Sequence, residues 1–335
     1  MLMLKKTIAA LSLLSILAAC QNDENPPQPE PKPRQDINLT RAEQEFMDKG
    51  TDFAFRFFDQ VCSTEKEKPN VFVSPLSASL CLSMITNGAT DNTLAEMQNV
   101  LGFPANTFSL DDLNNYNQKL TSALLDLDNT TQLGIANSIW IEEGFKVYDS
   151  FVDVNKKMYD AQVQELDFTS PTAKDVINQW CATQTNNCIK EVIQEIPADA
   201  RMYLINALYF KGIWKSQFDK SATGQDNFTN VDGSQQKVAM MNQTATFNYT
   251  QTDDFSIAEL PYGNEAFSMV ILLPSGDKTL DESLPSLNYE NWKQWSKNMV
   301  GKELQIKLPR FKVEYDKELE EDMIAMGMKD AFDAY

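Results

Sequence analysis

Residues 75–87 constrain this chain more than any other segment. Ser74-Pro75 offers a helix start, with Ser as N-cap and Pro in the first turn, where its missing N–H is not needed. Leu76, Ala78, Leu80, Cys81, Leu82, Met84 and Ile85 then surround the axis, leaving almost no polar face for water. Such a helix belongs in the middle of a molecule. Arg201 to Phe210 makes the same demand of a strand. Met202, Leu204, Leu208 and Phe210 alternate with Tyr203, Ile205, Ala207 and Tyr209, which predicts a central strand covered on both faces. Phe267 to Leu273 reads the same way. A chain of 335 residues, 42% of them hydrophobic, can bury the sizeable core these elements require.

The remaining pattern is mixed. Thr40-Arg41-Ala42-Glu43 is a capping box that opens a helix with Phe46, Phe53, Phe57 and Val61 on one face. Gly88 is placed to close the central helix in the left-handed conformation. Thr93 to Glu96 reads as a second capping box, with Gly102 ending that helix, and Ser109 to Leu127 is amphipathic. Gln132 to Glu142 alternates like a strand, Phe151 to Tyr159 is helical, and Gln164 to Phe168 is a strand. Ser170-Pro171 starts a helix through Val176, Ile177 and Trp180. Asn70 to Val73 is a short strand, Leu304 to Tyr315 a long one interrupted by Pro309, and Glu318 to Met328 a last helix. Helices early and strands late imply one α+β domain with large sheets.

Charge and composition narrow the chemistry. Lys plus Arg is 29 against 48 for Asp plus Glu, a formal charge of −19 that argues against nucleic acid as a partner. There is no histidine, so neither a Ser-His-Asp triad nor a His-ligated metal site can be built from these residues. Cys81 falls on the buried helix and reads as a small core hydrophobe. Cys181 and Cys188 would be too far apart to bridge along a continuous helix. Asp126 and Asp128 lack the glycine and terminal Glu of a calcium loop and are expected at a solvated helix end.

The N-terminus reads as an address. Lys5-Lys6 precedes an apolar run to Leu17, too short for a comfortable membrane span, and Ala18-Ala19 precede Cys20. Residues 1–19 are therefore expected as a signal peptide. Leu17-Ala18-Ala19-Cys20 resembles the lipobox of bacterial lipoproteins, which implies lipidation of Cys20, a membrane anchor and an outer-membrane location, with surface display suggested by Asp23-Glu24. Removing residues 1–19 takes away two lysines and no acid, so the charge becomes −21. Residues 20–39 form the lipidated Cys and a linker. Five of the sixteen residues from Gln21 to Asp36 are proline, so an extended spacer holding the body off the membrane is expected.

Residues 40–335 are identified with a family by six motifs in order. Asn70-Val-Phe-Val-Ser-Pro-Leu-Ser-Ala-Ser79 resembles a strand-to-helix motif of the serpins, and Leu133-Gly-Ile-Ala-Asn-Ser-Ile-Trp140 resembles another. Ile205-Asn-Ala-Leu-Tyr-Phe-Lys-Gly-Ile-Trp214 is the most specific match; Met240-Met241, Glu259-Leu-Pro-Tyr262 and Leu308-Pro-Arg-Phe311 follow. The resemblance implies a serpin fold of helices packed on large mixed sheets. It also implies a suicide substrate of serine (or cysteine) proteases, working without catalytic residues or cofactors. A cleaved reactive loop inserts as a new strand in the main sheet and disables the protease, and the complete protein is expected to be a monomer. By the same resemblance Ser74 and Ser77 belong to a polar cluster beneath that sheet, Asn206 hydrogen-bonds into it, and Trp214 stands where insertion begins. The family pattern continues past Tyr335 with further strands and the reactive loop, so the domain reads as truncated and the reactive bond has no residue here. A non-inhibitory serpin serving as a binding or chaperone-like module, or a non-functional fragment, is the alternative.

Overall fold

The computed structural model describes residues 30–333; the signal segment and Cys20 lie outside the described residues. The helices are α1 (Arg41–Thr64), α2 (Pro75–Thr86), α3 (Asp91–Leu101), α4 (Leu110–Asp126), α5 (Asp149–Tyr159), α6 (Ala173–Gln184), α7 (Leu280–Ser283), α8 (Tyr289–Lys297) and α9 (Glu320–Met326). The strands are β1 (Gln132–Glu142), β2 (Gln162–Leu166), β3 (Met202–Lys211), β4 (Gly224–Thr229), β5 (Gln235–Gln251), β6 (Phe255–Pro261), β7 (Ser268–Pro274) and β8 (Val300–Pro309). They form two sheets. One runs β2-β1-β3, with β1 parallel to β2 and antiparallel to β3. The other runs β4-β5-β6-β7, with β8 also paired to the long β5.

Helix α2 lies where its composition requires. Ser77, Ala78 and all residues from Leu80 to Thr86 are buried. One side of it joins the core built by Phe46, Phe53, Phe57 and Val61 of α1 with Met97 and Leu101 of α3. Its other side contributes Leu80, Cys81 and Met84 to a second core with Ile139 and Ile141 of β1 and Phe151 and Tyr159 of α5. A third core sits on the opposite face of the first sheet, where Trp140 of β1 and Tyr203 and Ala207 of β3 meet Ile177 and Trp180 of α6. Both faces of β1 and β3 are thus covered.

Several sequence expectations change. β3 and β7, read as central strands, are edges of the described sheets, and Leu273 on β7 is 64% exposed. A run apolar on both faces reports cover above and below, not neighbours on either side. Asn70 to Val73 is extended but pairs in no ladder of the described residues. Beyond Pro309, which has no N–H to donate, the expected long strand leaves its ladder: Arg310 N–H still donates to Ala239 O at 2.9 Å, and residues 311–319 form no strand. Thr93 lies inside α3, whose N-cap position is Thr90; its would-be box partner Glu96 instead accepts the Lys329 and Asp330 backbone N–H groups. Gly88 is not left-handed: it leaves room for Phe151, whose ring carbon would lie 3.0 Å from an added Cβ. Asp128 is not solvated but 4% exposed. β4 and β5 carry no regular alternation, since they mix exposed polar and half-buried positions, whereas β6 buries Phe255, Ile257 and Leu260.

Candidate functional site

The serines that open α2 touch each other. Ser74 Oγ caps the helix by accepting the Ser77 N–H at 3.3 Å and donates to Ser77 Oγ at 3.2 Å. Asn206 does not join them. Its amide Nδ2 donates instead to Asn137 Oδ1 on the neighbouring β1 at 2.8 Å, in the register that places the two asparagines opposite each other. Its own Oδ1 is buried with no hydrogen-bond partner.

Asn137 begins a polar relay that sequence reading did not single out. Its Nδ2 donates to the backbone carbonyl of Tyr159, the last residue of α5, at 2.7 Å. The Tyr159 hydroxyl donates to Asn114 Oδ1 of α4 at 2.7 Å and accepts from Asn117 at 3.3 Å. Asn114 exchanges a reciprocal amide pair with Asn87 at the end of α2, at 2.8 and 3.1 Å. Asn114, Asn117, Asn137 and Tyr159 are all buried. Burial pushes the Tyr159 phenol up to about 12, so it remains a neutral donor. Buried amides must find partners, and here the partners join β3, β1, α5, α4 and α2 in one connected path. The visible signal was Asn137, which falls inside the quoted L-G-I-A-N-S-I-W segment as the one large polar residue before a buried Trp.

Trp214 occupies the far end of β3. Its ring stacks on Tyr262 with centroids 4.3 Å apart and planes 16° apart, and Phe218 meets it edge-on at 6.1 Å. Tyr262 in turn packs against Phe210, which also meets Phe267. The approach depends on Gly212, because a Cβ there would sit 2.7 Å from the Tyr262 ring. Lys215 N–H donates to Pro261 O and Gly263 N–H to Ile213 O, so the segment after β3 is bound to the β6–β7 turn on both sides of the stack. The turn is held from behind by Asp128. Its carboxylate accepts from Thr130 N and Oγ1, Thr131 Oγ1 and, at 3.4 Å, Asn264 N. Burial alone would raise the Asp128 carboxyl, but these donors outweigh it and hold it below its ordinary range.

Four cysteines are described, and all are free thiols. α6 ends at Gln184, and left-handed Asn186 and Asn187 lead away from it, so Cys181 and Cys188 are not bridged. Burial pushes the Cys181 thiol up to about 12. No helix of the described residues is long and apolar enough to cross a membrane.

Sequence and fold comparisons agree with this arrangement. The family model described as "Serpin (serine protease inhibitor)" matches residues 48–335. An uncharacterized serpin-like protein of Methanosarcina acetivorans is 34% identical over 287 residues, covering 84% of this chain and 66% of its own length. Serpin B3 of Homo sapiens is 31% identical over 302 residues, covering 84% of this chain and 77% of its own. Among solved structures, the thermophilic serpin tengpin in its latent state aligns with a TM-score of 0.79 at 31% identity, over 89% of this chain and 78% of that one. Emu (Dromaius novaehollandiae) ovalbumin aligns at 0.81 with 26% identity, over 86% and 79%. The chain belongs to the serpin family and has its fold, and it spans about two thirds of the length of the archaeal relative. The family is described by serine protease inhibition.

Proposed function

We propose that this protein inhibits serine proteases as a suicide substrate, by inserting a cleaved reactive loop beside β3. The observation that carries the reading is the serpin-family match over residues 48–335. β3 is a strand of ten residues covered on both faces by packed cores, so a strand added along its outer edge finds cover above and below. Buried backbone N–H and C=O groups seek partners, and an inserted strand pairs a whole row of them, as in other strand-addition complexes. An uninserted state is then held by a barrier, not by lying lowest in free energy. Ser74, Ser77, Asn206 and Trp214 are the residues assigned to controlling that edge, joined now by Asn137 and Tyr262. Incubation of the full-length protein with trypsin-, chymotrypsin- and elastase-like proteases tests the reading. A covalent complex that survives SDS is the expected result. Simple cleavage with the protease left active would sink it and favour a non-inhibitory binding module.

The same proposal includes the address. Residues 1–19 are removed, Cys20 is lipidated, and the body is displayed at the outer membrane of the cell envelope, where proteases of other cells are the available targets. The support is the Leu17-Ala18-Ala19-Cys20 segment. A single lipid chain binds reversibly, and stable anchoring takes two, so diacylation is required. Cys20→Ser should move the protein from the membrane to the soluble fraction; retention in the membrane would refute lipid anchoring.

A further inference from the structure

The proline-rich linker does not run free to the start of the first helix. Asn129, just past the end of α4, grips it by the backbone. Its side-chain Oδ1 accepts the Lys32 N–H at 2.8 Å and its Nδ2 donates to the Glu30 carbonyl at 3.0 Å. One carboxamide thus serves as the peptide unit of a partner strand, reaching the two groups that flank Pro31. Proline fits this arrangement, since its fixed φ keeps the segment extended and its missing N–H leaves no donor unpaired. Lys32 Nζ adds an exposed ion pair to Asp126 at 3.6 Å, a minor term between two solvated groups. Seven residues after Lys32, Leu39 packs against the α1 core, and Thr40 and Glu43 form the capping box of α1. Glu43 also pairs with Lys119 of α4 at 2.7 Å. Residues 30–43 therefore lie along α4, fixed at its middle and at its end.

The clamp adjoins the support of the aromatic gate. Asn129 is the chain neighbour of Asp128, whose carboxylate holds Asn264 N–H, and Leu127 O accepts the Asn264 side chain at 2.8 Å. Gly263 has φ +39°, and a Cβ on it would fall 2.2 Å from both Asp128 Oδ2 and Thr130 Oγ1. The loop of residues 127–131 and the β6–β7 turn are thus in direct contact, and Tyr262 of that turn carries Trp214. We infer that residues 30–40 are an intramolecular strap whose ligand site is Asn129, and that a seated strap steadies the loop that fixes the Tyr262–Trp214 stack. A pull on the linker, or a partner that binds it, would release the loop and loosen the gate. The strap and its clamp stand without the inhibitory reading; only the consequence for strand insertion rests on it.

The full chain tests this in two readouts. Trypsin cleavage after Arg34, in the strap, reports release. Losing the two clamp bonds in Asn129→Ala should speed it about fivefold, the factor of two exposed hydrogen bonds each at the low end of the net range, and Asn129→Asp, which keeps only the acceptor, should fall between. Hydrogen exchange in residues 261–267 reports the gate and should rise by a similar factor in Asn129→Ala. Replacement of residues 30–36 by Gly and Ser leaves the body untouched and should reproduce the gate effect if Asn129→Ala folds poorly. Unchanged cleavage after Arg34 would overturn the clamp. Faster cleavage with unchanged exchange at 261–267 in both variants would overturn the coupling. Exchange involves no protease, and cleavage after Arg34 is read with trypsin in molar excess over the protein, where capture of a fraction leaves free enzyme, so both readouts can fail or succeed independently of inhibition.

Discussion

Asn137 and Asn206 invite a double-mutant cycle, because the structure assigns them unequal roles. Asn137→Ala removes two hydrogen bonds, a buried one to Tyr159 O at 2.7 Å and a part-buried one from Asn206 at 2.8 Å. Each is worth about 1 kcal/mol net. It also strands the Asn206 amide, whose Oδ1 already has no partner, and a buried unsatisfied group adds about 1–2 kcal/mol. The expected cost is roughly 3–4 kcal/mol. Asn206→Ala loses the bond to Asn137 and strands Asn137 Oδ1, but deletes an unsatisfied oxygen of its own, so about 1 kcal/mol is expected. The double variant lacks both bonds but strands nothing on β3, at about 2 kcal/mol. The singles therefore overshoot the double by about 2 kcal/mol or more, well above the scatter of independent sites. Urea unfolding of the full-length protein, with m-values compared across the set, measures all four corners. Polymer formation on native gels at raised temperature reports sheet opening in the same samples, and Asn137→Ala should exceed Asn206→Ala. Additivity within about 0.5 kcal/mol would refute the relay as drawn. So would an Asn206→Ala variant that polymerises more readily than Asn137→Ala.

Three further outcomes follow from single sites. Gly212→Ala should cost about 1–3 kcal/mol by overpacking against the Tyr262 ring; a melting temperature equal to wild type would show that the stack yields freely. Asp128 has a carboxyl held below its ordinary range, so it contributes stability above its unfolded value of about 4 and loses it as pH falls through the lower folded value. Unfolding free energies measured between pH 2 and 6 should therefore slope less in Asp128→Asn than in wild type, and equal slopes would exclude the carboxylate. Burial pushes the Cys81 and Cys181 thiols up to about 12, so both should resist alkylation at pH 8 in the folded protein and react on unfolding. Rapid labelling of either would place it at the surface.

What could be read from the sequence was whatever a single element declares about itself. α2 announced its place because apolar residues on every side admit only burial, and β1 was read to its ends, Gln132 and Glu142. The capping box at Thr40 formed and a further one, not read from the sequence, pairs Ser109 with Asp112, while the one at Thr93 did not form, because the same four-residue pattern recurs by chance inside a helix. Long-range partners were not legible. Asn206 was expected to hydrogen-bond into the serine cluster, but its partner is set by the β1–β3 register, which places Asn137 opposite it, and not by Ser74 and Ser77 at the start of α2. Asp128 was misread for the same reason, since the groups that bury it come from the turn at Asn264. The linker's contact with Asn129 is a backbone grip, and backbone atoms carry no residue signature at all.

The relay also says which bonds a moving sheet would break. The Asn206–Asn137 bond lies within the β1–β3 pair, so it survives any shift that carries the pair as a unit. The Asn137–Tyr159 O bond ties α5 to that pair, and β2, paired with β1, starts three residues after Tyr159. α5, β1, β2 and β3 can therefore move together. What crosses to the helices behind them is a short list: Tyr159 Oη to Asn114 at 2.7 Å and from Asn117 at 3.3 Å, Gln118 Nε2 to Lys157 O at 2.8 Å, Asn155 Nδ2 to Met84 O at 3.4 Å, and Cys81 Sγ to Leu204 O at 3.6 Å. The shortest of these is the phenol, which makes Tyr159 the pin between two bodies and not a part of the sheet. Tyr159→Phe should cost about 1–2 kcal/mol, since Asn114 keeps its pairing with Asn87. Its signature should be spatial: hydrogen exchange should quicken along α4 and the end of α2 while the β1–β3 amides stay protected, the reverse of Asn137→Ala. If Tyr159→Phe instead loosens β1 and β3 as much as Asn137→Ala does, the sheet and the helices behind it are one body and the plane of movement lies elsewhere.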